Sequence, residues 1–345
     1  MLLPEPGAGA ACLSADKAAA ALDAAVAAHI ARLLRQAGGA RSGDLRQVED
    51  WILDCARTEP VHLRLSLLVC QAAGGVASDA VAVAAAWHLL YCAAHLLDDV
   101  ADAECFWLPP SQAINASVTL IFLAQLSLTT LKDSQVDPDR IVALVSAFNT
   151  KTTRMALGQA SDLAWDAQSA TLNDYWSIAQ AKTGEFYALA CQAGALVGTD
   201  EQAEIDRYTT FGYHLGVLVQ VADDLQALWR PRGRGDLLTA GRTLPVVYGL
   251  SVASPEGKEH LHHLLASAPD SAEAQHELLV ELARLGALHY IALQGGLQHQ
   301  LAREAILSAP RPTAAHERLL EMLDSAFPAI GVADQQCAPS RVLNG

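Results

Sequence analysis

Three aspartates close a long uncharged stretch of the chain, in the run His95-Leu96-Leu97-Asp98-Asp99-Val100-Ala101-Asp102. On a helix Asp98 and Asp102 project from one face, a turn apart. Carboxylates this close repel one another, and they destabilise an apolar helix unless a cation neutralises them. Mg²⁺ suits the pattern, because it accepts a few carboxylates, keeps waters and completes its octahedron with phosphate oxygens. Read alone, the run has a solvated helix end as its lesser alternative. A second pair, Asp223-Asp224, ends another apolar stretch, with Gln220 three residues before Asp223 on the same face. Two such helices facing each other would hold a cluster of Mg²⁺ ions around a diphosphate. Between the two pairs lies Lys182, a lone cation in a run of Ala, Leu, Phe and Tyr. A buried lysine is costly unless it meets an anion. By itself it could snorkel to the surface, but with two acid clusters flanking it the anion reading prevails. Arg242 stands at a predicted helix start, where Pro245 removes an orphan N–H donor.

Nearly all of the chain that must position these groups reads at helical period. The pattern predicts helices over about 15–37, 44–57, 60–74, 78–103, 111–132, 137–164, 171–197, 202–230, 243–252, 256–267, 270–284, 286–308 and 313–326. Asp44, Asp79, Asp137 and Asp270 stand where N-caps are expected. No stretch alternates long enough for a sheet, so the expected class is all-α. The expected organisation is one domain over 1–345, with loose ends at 1–12 and 330–345. Arg230–Gly235 is a basic loop in an acidic protein, either a solvated loop or a flap beside an anion.

Lys and Arg number 23 against 38 Asp and Glu, a formal charge of −15. Such a surface repels phosphate backbones, which argues against a nucleic-acid partner. The seven cysteines are scattered and form no CxxC pair, as expected of reduced thiols in a cytoplasmic protein. No signal peptide is evident. Ala80–Leu97 and Cys105–Leu131 approach membrane-spanning length, but buried bundle helices explain them better than a stable membrane span. The histidines show no metal-ligand spacing.

With these residues in order, the chain resembles the trans-isoprenyl diphosphate synthases, the polyprenyl synthetase family within the class I isoprenoid and terpenoid synthases. Asp98–Asp102 is similar to the first aspartate-rich motif and Gln220–Asp224 to the second. Gly158-Gln159 with Asp162-Leu163 matches a GQxxDL segment, and Tyr175 with Lys182-Thr183 matches a Y…KT segment. Asp236-Leu237 with Gly241–Pro245 resembles DLxxGKxTLP, one residue short, and Ala113–Ala116 the start of an AINAGD helix. The resemblance spans roughly residues 60–250. It implies a bundle of mostly antiparallel helices around a central apolar cavity, with the acids at its mouth. It further implies three Mg²⁺ per site on Asp98, Asp99, Asp102, Asp223 and Asp224. Gln159, Lys182, Gln220 and Arg242 would bind an allylic prenyl diphosphate, and Asp98, Asp99, Asp102, Lys182 and Asp223 would carry catalysis. A homodimer is expected from the resemblance and from the apolar stretch 105–131, which needs cover.

The departures set the expected reaction. Where chain-elongating members have a GGKRLRP-like segment, this chain has His62-Leu63-Arg64-Leu65-Ser66, and no Arg pair follows Asp102. With the cations for a second diphosphate missing, the expected activity is a terpene synthase. It would ionise one C15–C20 prenyl diphosphate and release diphosphate and a linear or cyclic terpene. The alternatives are a chain-elongating prenyltransferase that uses isopentenyl diphosphate through residues such as Arg57, His62 and Arg64, or a non-catalytic partner subunit. Ala227 replaces a third acid of the second motif, which would loosen the third metal. Ala93 and Ala94 stand where bulky residues shorten products in the family, so small side chains leave depth. Tyr91 could floor the cavity or stabilise a cation, though core packing accounts for it as well.

Overall fold

The computed structural model describes residues 8–38, 43–58, 61–102, 105, 107–134, 136–165, 171–229, 237–310 and 312–327. Helices fill them, and no strand occurs among the described residues. In chain order they are α1 (Ala8–Gly38), α2 (Gly43–Thr58), α3 (Val61–Ala72), α4 (Val81–Ala101), α5 (Pro110–Thr129), α6 (Pro138–Leu163) and α7 (Leu172–Ala179). A π-helical turn, Gln180–Gly184, joins α7 to α8 (Glu185–Gly198). There follow α9 (Gln202–Trp229), α10 (Leu244–Val252), α11 (Pro255–Ser267), α12 (Ala272–Arg284), α13 (Ala287–Leu307) and α14 (Ala314–Ala326). The segment 230–236, with the basic loop, lies outside the described residues, as do both expected loose ends apart from the start of α1.

The contacts divide the chain into two compact units. The first runs to Thr150 and includes Leu189–Thr209 and Ala309–Leu319; the second comprises Lys151–Ala188, Thr210–Ser308 and the chain from Leu320. The first unit is organised on α4, which packs against α1, α2, α3 and α5. Its first turns are alanine-rich, and Ala82, Ala84, Ala85 and Ala86 are buried together with Trp87. Alanine is the strongest helix former, and its small side chain lets neighbours approach from several sides. His88 is fully buried there and shares a hydrogen bond with the Ile52 carbonyl at 3.1 Å. Two helical segments, Ala77–Ala101 and Pro110–Ser134, are long and apolar enough to cross a membrane. The apolar window of the first is 72% buried inside the protein and that of the second 44%.

In the second unit α10 packs on α7 and α13, and α11 on α12. One core cluster joins Tyr175, Ala179, Val221, Leu244, Val247 and Ile291. Helix starts differ from expectation in detail. Asp137 does cap α6, accepting from the Asp139 N–H at 2.8 Å. Ser271 rather than Asp270 caps α12, and Asp79 lies in a 3₁₀ turn ahead of α4. The helix expected over 171–197 is interrupted by the π turn. No proline or glycine run announces that break; it arises from packing, described next.

Candidate active site

Asp98, Asp99 and Asp102 occupy the C-terminal turn of α4, where unpaired carbonyls already concentrate negative charge. Acids are doubly unfavourable there, which strengthens the case for a cation. Asp98 and Asp99 are half-buried, and Asp102 is exposed at the C-cap. One turn below Asp98, Ala94 is half-buried, while Ala93 faces the core and is fully buried. An aromatic column supports the acids. Trp107 stacks on Trp51 at 5.5 Å, Trp51 on His95 at 6.1 Å, His95 on Tyr91 at 5.7 Å and Tyr91 on His88 at 6.2 Å. His88, Tyr91, His95 and Asp99 recur at helical spacing, so the column climbs one face of α4 to the acids. His95 Nε2 lies 3.9 Å from Asp99 Oδ1. No metal-ligand spacing marks His95 in the sequence; its helical spacing from Tyr91 and Asp99 is the signal that places it beside the acids.

The second cluster is built on α9. Asp223 is exposed, but Asp224, expected beside it as a metal ligand, is buried. Both Asp224 oxygens are engaged. Oδ2 accepts from the Tyr175 hydroxyl at 2.7 Å and from the Leu244 N–H at 2.7 Å, and Oδ1 accepts from Gln220 Nε2 at 2.8 Å. Burial pushes its carboxyl up to about 6, against the pull of the three donors. The Tyr175 phenol is driven well above its usual range by burial and then by the Asp224 charge, so it stays a donor. Gln220 is held from its other end by Thr183 Oγ1, which donates to Oε1 at 2.5 Å.

Thr183 lies on the π turn beside Lys182. Such turns insert one residue into a helix and re-aim the side chains around it. Two glycines make room for it. A Cβ on Gly158 of α6 would meet the Ala181 Cβ at 2.8 Å, and one on Gly216 of α9 would strike the Thr183 carbonyl oxygen. From this turn Lys182 Nζ donates to Asp162 Oδ2 at 2.6 Å, and Arg242 Nη1 stands 4.0 Å from Asp162 Oδ1. The two cations expected to receive an anion thus converge on one carboxylate. Beside them Gln159 has a buried Oε1 with no hydrogen-bond donor.

A model of the polyprenyl synthetase family matches residues 57–282. The chain belongs to that family. Among similar proteins is a short chain isoprenyl diphosphate synthase of Methanothermobacter thermautotrophicus, 27% identical over 75% of this chain and 83% of the relative. A geranylgeranyl diphosphate synthase of Mycobacterium tuberculosis is 28% identical over 72% of this chain and 73% of its own. In structure, geranylgeranyl pyrophosphate synthetase from Pyrococcus horikoshii superposes with a TM-score of 0.76 at 20% identity, covering 91% of this chain and 98% of that one. That likeness shows the all-α isoprenoid synthase fold.

These relatives overturn the terpene-synthase expectation. They are named for making prenyl diphosphates, whereas a terpene synthase ends with a phosphate-free product. The expectation rested on cations missing from two short segments of this polyprenyl synthetase. Absence at fixed register positions is weak ground, since a diphosphate can draw its cations from other elements of the fold. The side chains of Arg57 and His62, and residues Glu104 and Phe106, lie outside what is described. Arg64 is committed elsewhere, donating from Nε and Nη2 to the Asp23 carboxylate at 2.5–3.1 Å.

Among the described residues no three His, Cys, Asp or Glu side chains gather into a preformed metal site. Mg²⁺ needs none, because it binds one or two carboxylates and takes waters and phosphate oxygens for the rest. Each unit taken by itself offers donors that fit it: hard carboxylate oxygens at the end of α4 in the first, and the exposed Asp223 on α9 with the spare Gln159 acceptor in the second. On the flank of the π turn, α6 and α7 wall a cavity of about 780 Å³ lined by Arg154, Gly158, Ser161, Trp165, Gln180 and Tyr213 among others.

Proposed function

We propose that this polyprenyl synthetase is a chain-elongating prenyltransferase, which joins an allylic prenyl diphosphate to isopentenyl diphosphate. The observation that carries the reading is the convergence of Lys182 and Arg242 on Asp162, in a chain whose relatives are named prenyl diphosphate synthases. Asp98, Asp99 and Asp102 in the first unit would hold Mg²⁺, as would Asp223 in the second. When bound, it neutralises the allylic diphosphate and weakens the C–O bond that must break. Lys182 and Arg242 exchange Asp162 for the departing diphosphate and stabilise its growing charge. Gln220, fixed by Thr183 and Asp224, presents a fixed dipole beside them. Ala94, half-buried one turn under Asp98, leaves depth for a C15–C20 chain, whereas Ala93, expected to share that role, is packed in the core. The second diphosphate needs cations of its own, and Arg57 and His62 at the α2–α3 junction are the candidates.

The test is incubation with radiolabelled isopentenyl diphosphate, Mg²⁺ and allylic diphosphates of C5, C10, C15 and C20. Label in longer, acid-labile diphosphates is the expected result. Diphosphate release with no label incorporated from any primer rejects the proposal.

The enzyme works as a two-fold homodimer. Ile114, Val118, Phe122 and Leu126 recur every four residues along α5 and are 46%, 44%, 69% and 42% exposed, an apolar stripe on a helix whose other face is buried. A second copy of the same helix covers such a stripe through an isologous contact. Phe122→Glu should convert the dimer to monomer in sedimentation at micromolar concentration. A wild-type monomer under those conditions refutes the dimer.

A further inference from the structure

We propose that Tyr175 and Asp224 form a buried positioning device that holds the three chemistry-bearing elements of the second unit in register. The inference rests on the proposed diphosphate-binding function of that unit. Asp224 and two of its three partners lie beside residues of the site. Asp224 itself follows Asp223 on α9. Gln220 reaches Thr183, the neighbour of Lys182 on the π turn. The Leu244 N–H, donated to Asp224 at 2.7 Å, belongs to the first turn of α10, two residues after Arg242. One carboxylate therefore ties down the backbone beside an acid and two cations.

The local chemistry argues that this is its role. Thr243, the N-cap of α10, makes no side-chain cap bond, and Asp224 supplies the anion that the helix N-terminus lacks. Tyr175 is buried, and its hydroxyl reaches Asp224 at 2.7 Å. A phenylalanine would fill the same space without a hydroxyl to satisfy, and the hydroxyl present here is spent on Asp224. Asp223, one residue away, is exposed, so the two aspartates face different surroundings. Tyr175 acts through Asp224, the carboxylate that its hydroxyl meets.

Binding of magnesium pyrophosphate tests the device without requiring turnover. Calorimetric titration of the intact protein with pyrophosphate in excess Mg²⁺ should give an affinity about tenfold weaker for Tyr175→Phe, the scale seen when the partner of a ligand is removed. Trp176→Phe, on the same helix, removes the donor to Tyr290 and should leave the affinity within about twofold of wild type. Equal binding by wild type and Tyr175→Phe overturns the inference and leaves the proposed function standing. A wild type that gives no heat with magnesium pyrophosphate overturns both. Should Tyr175→Phe fail to fold, Asp224→Asn serves instead, since an amide cannot accept at both positions. It should weaken binding while equilibrium dialysis counts the same number of Mg²⁺ per pyrophosphate. Loss of one Mg²⁺ marks Asp224 as a ligand and rejects the positioning role, as does unchanged affinity.

Discussion

Helices α4 and α9 carry the same pair of letters and treat them oppositely. At α4, Asp98 and Asp99 are both half-buried beside an exposed Asp102, at a C-terminus that repels all three. At α9, Asp223 faces solvent, while Asp224 turns inward to three donors. In the first case the acids gather where the helix end is itself electronegative. In the second the protein satisfies the inner carboxylate itself. An Asp-Asp pair is therefore not a unit of metal binding. What surrounds each carboxylate decides whether it is a ligand or a structural anchor, and the surroundings come from elements distant in sequence.

The largest effects should separate the two ends. Asp102→Ala should lower kcat/KM by about 10³-fold or more, because charge neutralisation of the leaving group is lost. Its thermal midpoint should hold or rise, since one acid is removed from a helix C-terminus. Asp224→Ala should do the reverse in stability. It strands the Tyr175 hydroxyl and the Leu244 N–H in a dry core, at about 1–3 kcal/mol for each unsatisfied group. Chemical denaturation of the two variants side by side reads both signs. Equal destabilisation by the two would erase the distinction drawn between them.

Much of this was legible in the residues. The all-α class followed from uninterrupted helical periodicity, and the family from motifs in fixed order between Asp98 and Pro245. The convergence of Lys182 and Arg242 was implied by charge in an apolar setting, though its focus, Asp162, was known only as a motif letter. The π turn was not legible, because it comes from Gly158 and Gly216 admitting α6 and α9 to the Lys182 backbone, a packing effect without local signature. Nor was the fate of Asp224, since two of its three donors lie 49 and 20 residues away. The reaction is not legible for a related reason. Cations missing from two segments do not show that a diphosphate site is missing, because a binding site gathers its charges in space.

The outer end of α4 also stands over small residues, which gives a subtler way to probe it. Ala93→Phe would overpack a fully buried position and cost about 1–3 kcal/mol, so it reports on folding. Ala94 is only half-buried, and Ala94→Phe places a ring one turn under Asp98 without invading the core. Its longest product should shorten by about one isoprene unit, with total turnover falling less than about tenfold. Thin-layer analysis of dephosphorylated products measures this. An unchanged length distribution would show that the space beneath Asp98 does not gauge the chain.

The smallest effect tests how the π turn is braced in the second unit. Glu185, the first residue of α8, accepts from Lys151 Nζ at 2.5 Å and from Arg154 Nη1 at 2.8 Å, both on α6. Burial alone would raise its carboxyl, but the two cations outweigh that and hold it below the usual glutamate range. A carboxyl depressed in the folded state adds stability above its unfolded value, near pH 4.3, and loses that stability as pH falls through the folded value. Glu185→Gln should therefore cost about 1–2 kcal/mol at pH 7, where Lys151, itself buried, loses its counter-charge. Below pH 4 the gap between wild type and variant should close, because protonation removes the same charge. Urea denaturation at pH 7 and pH 3 measures both gaps. A difference that persists undiminished at pH 3 would mean that the shape of the glutamate, not its charge, braces the turn that carries Lys182.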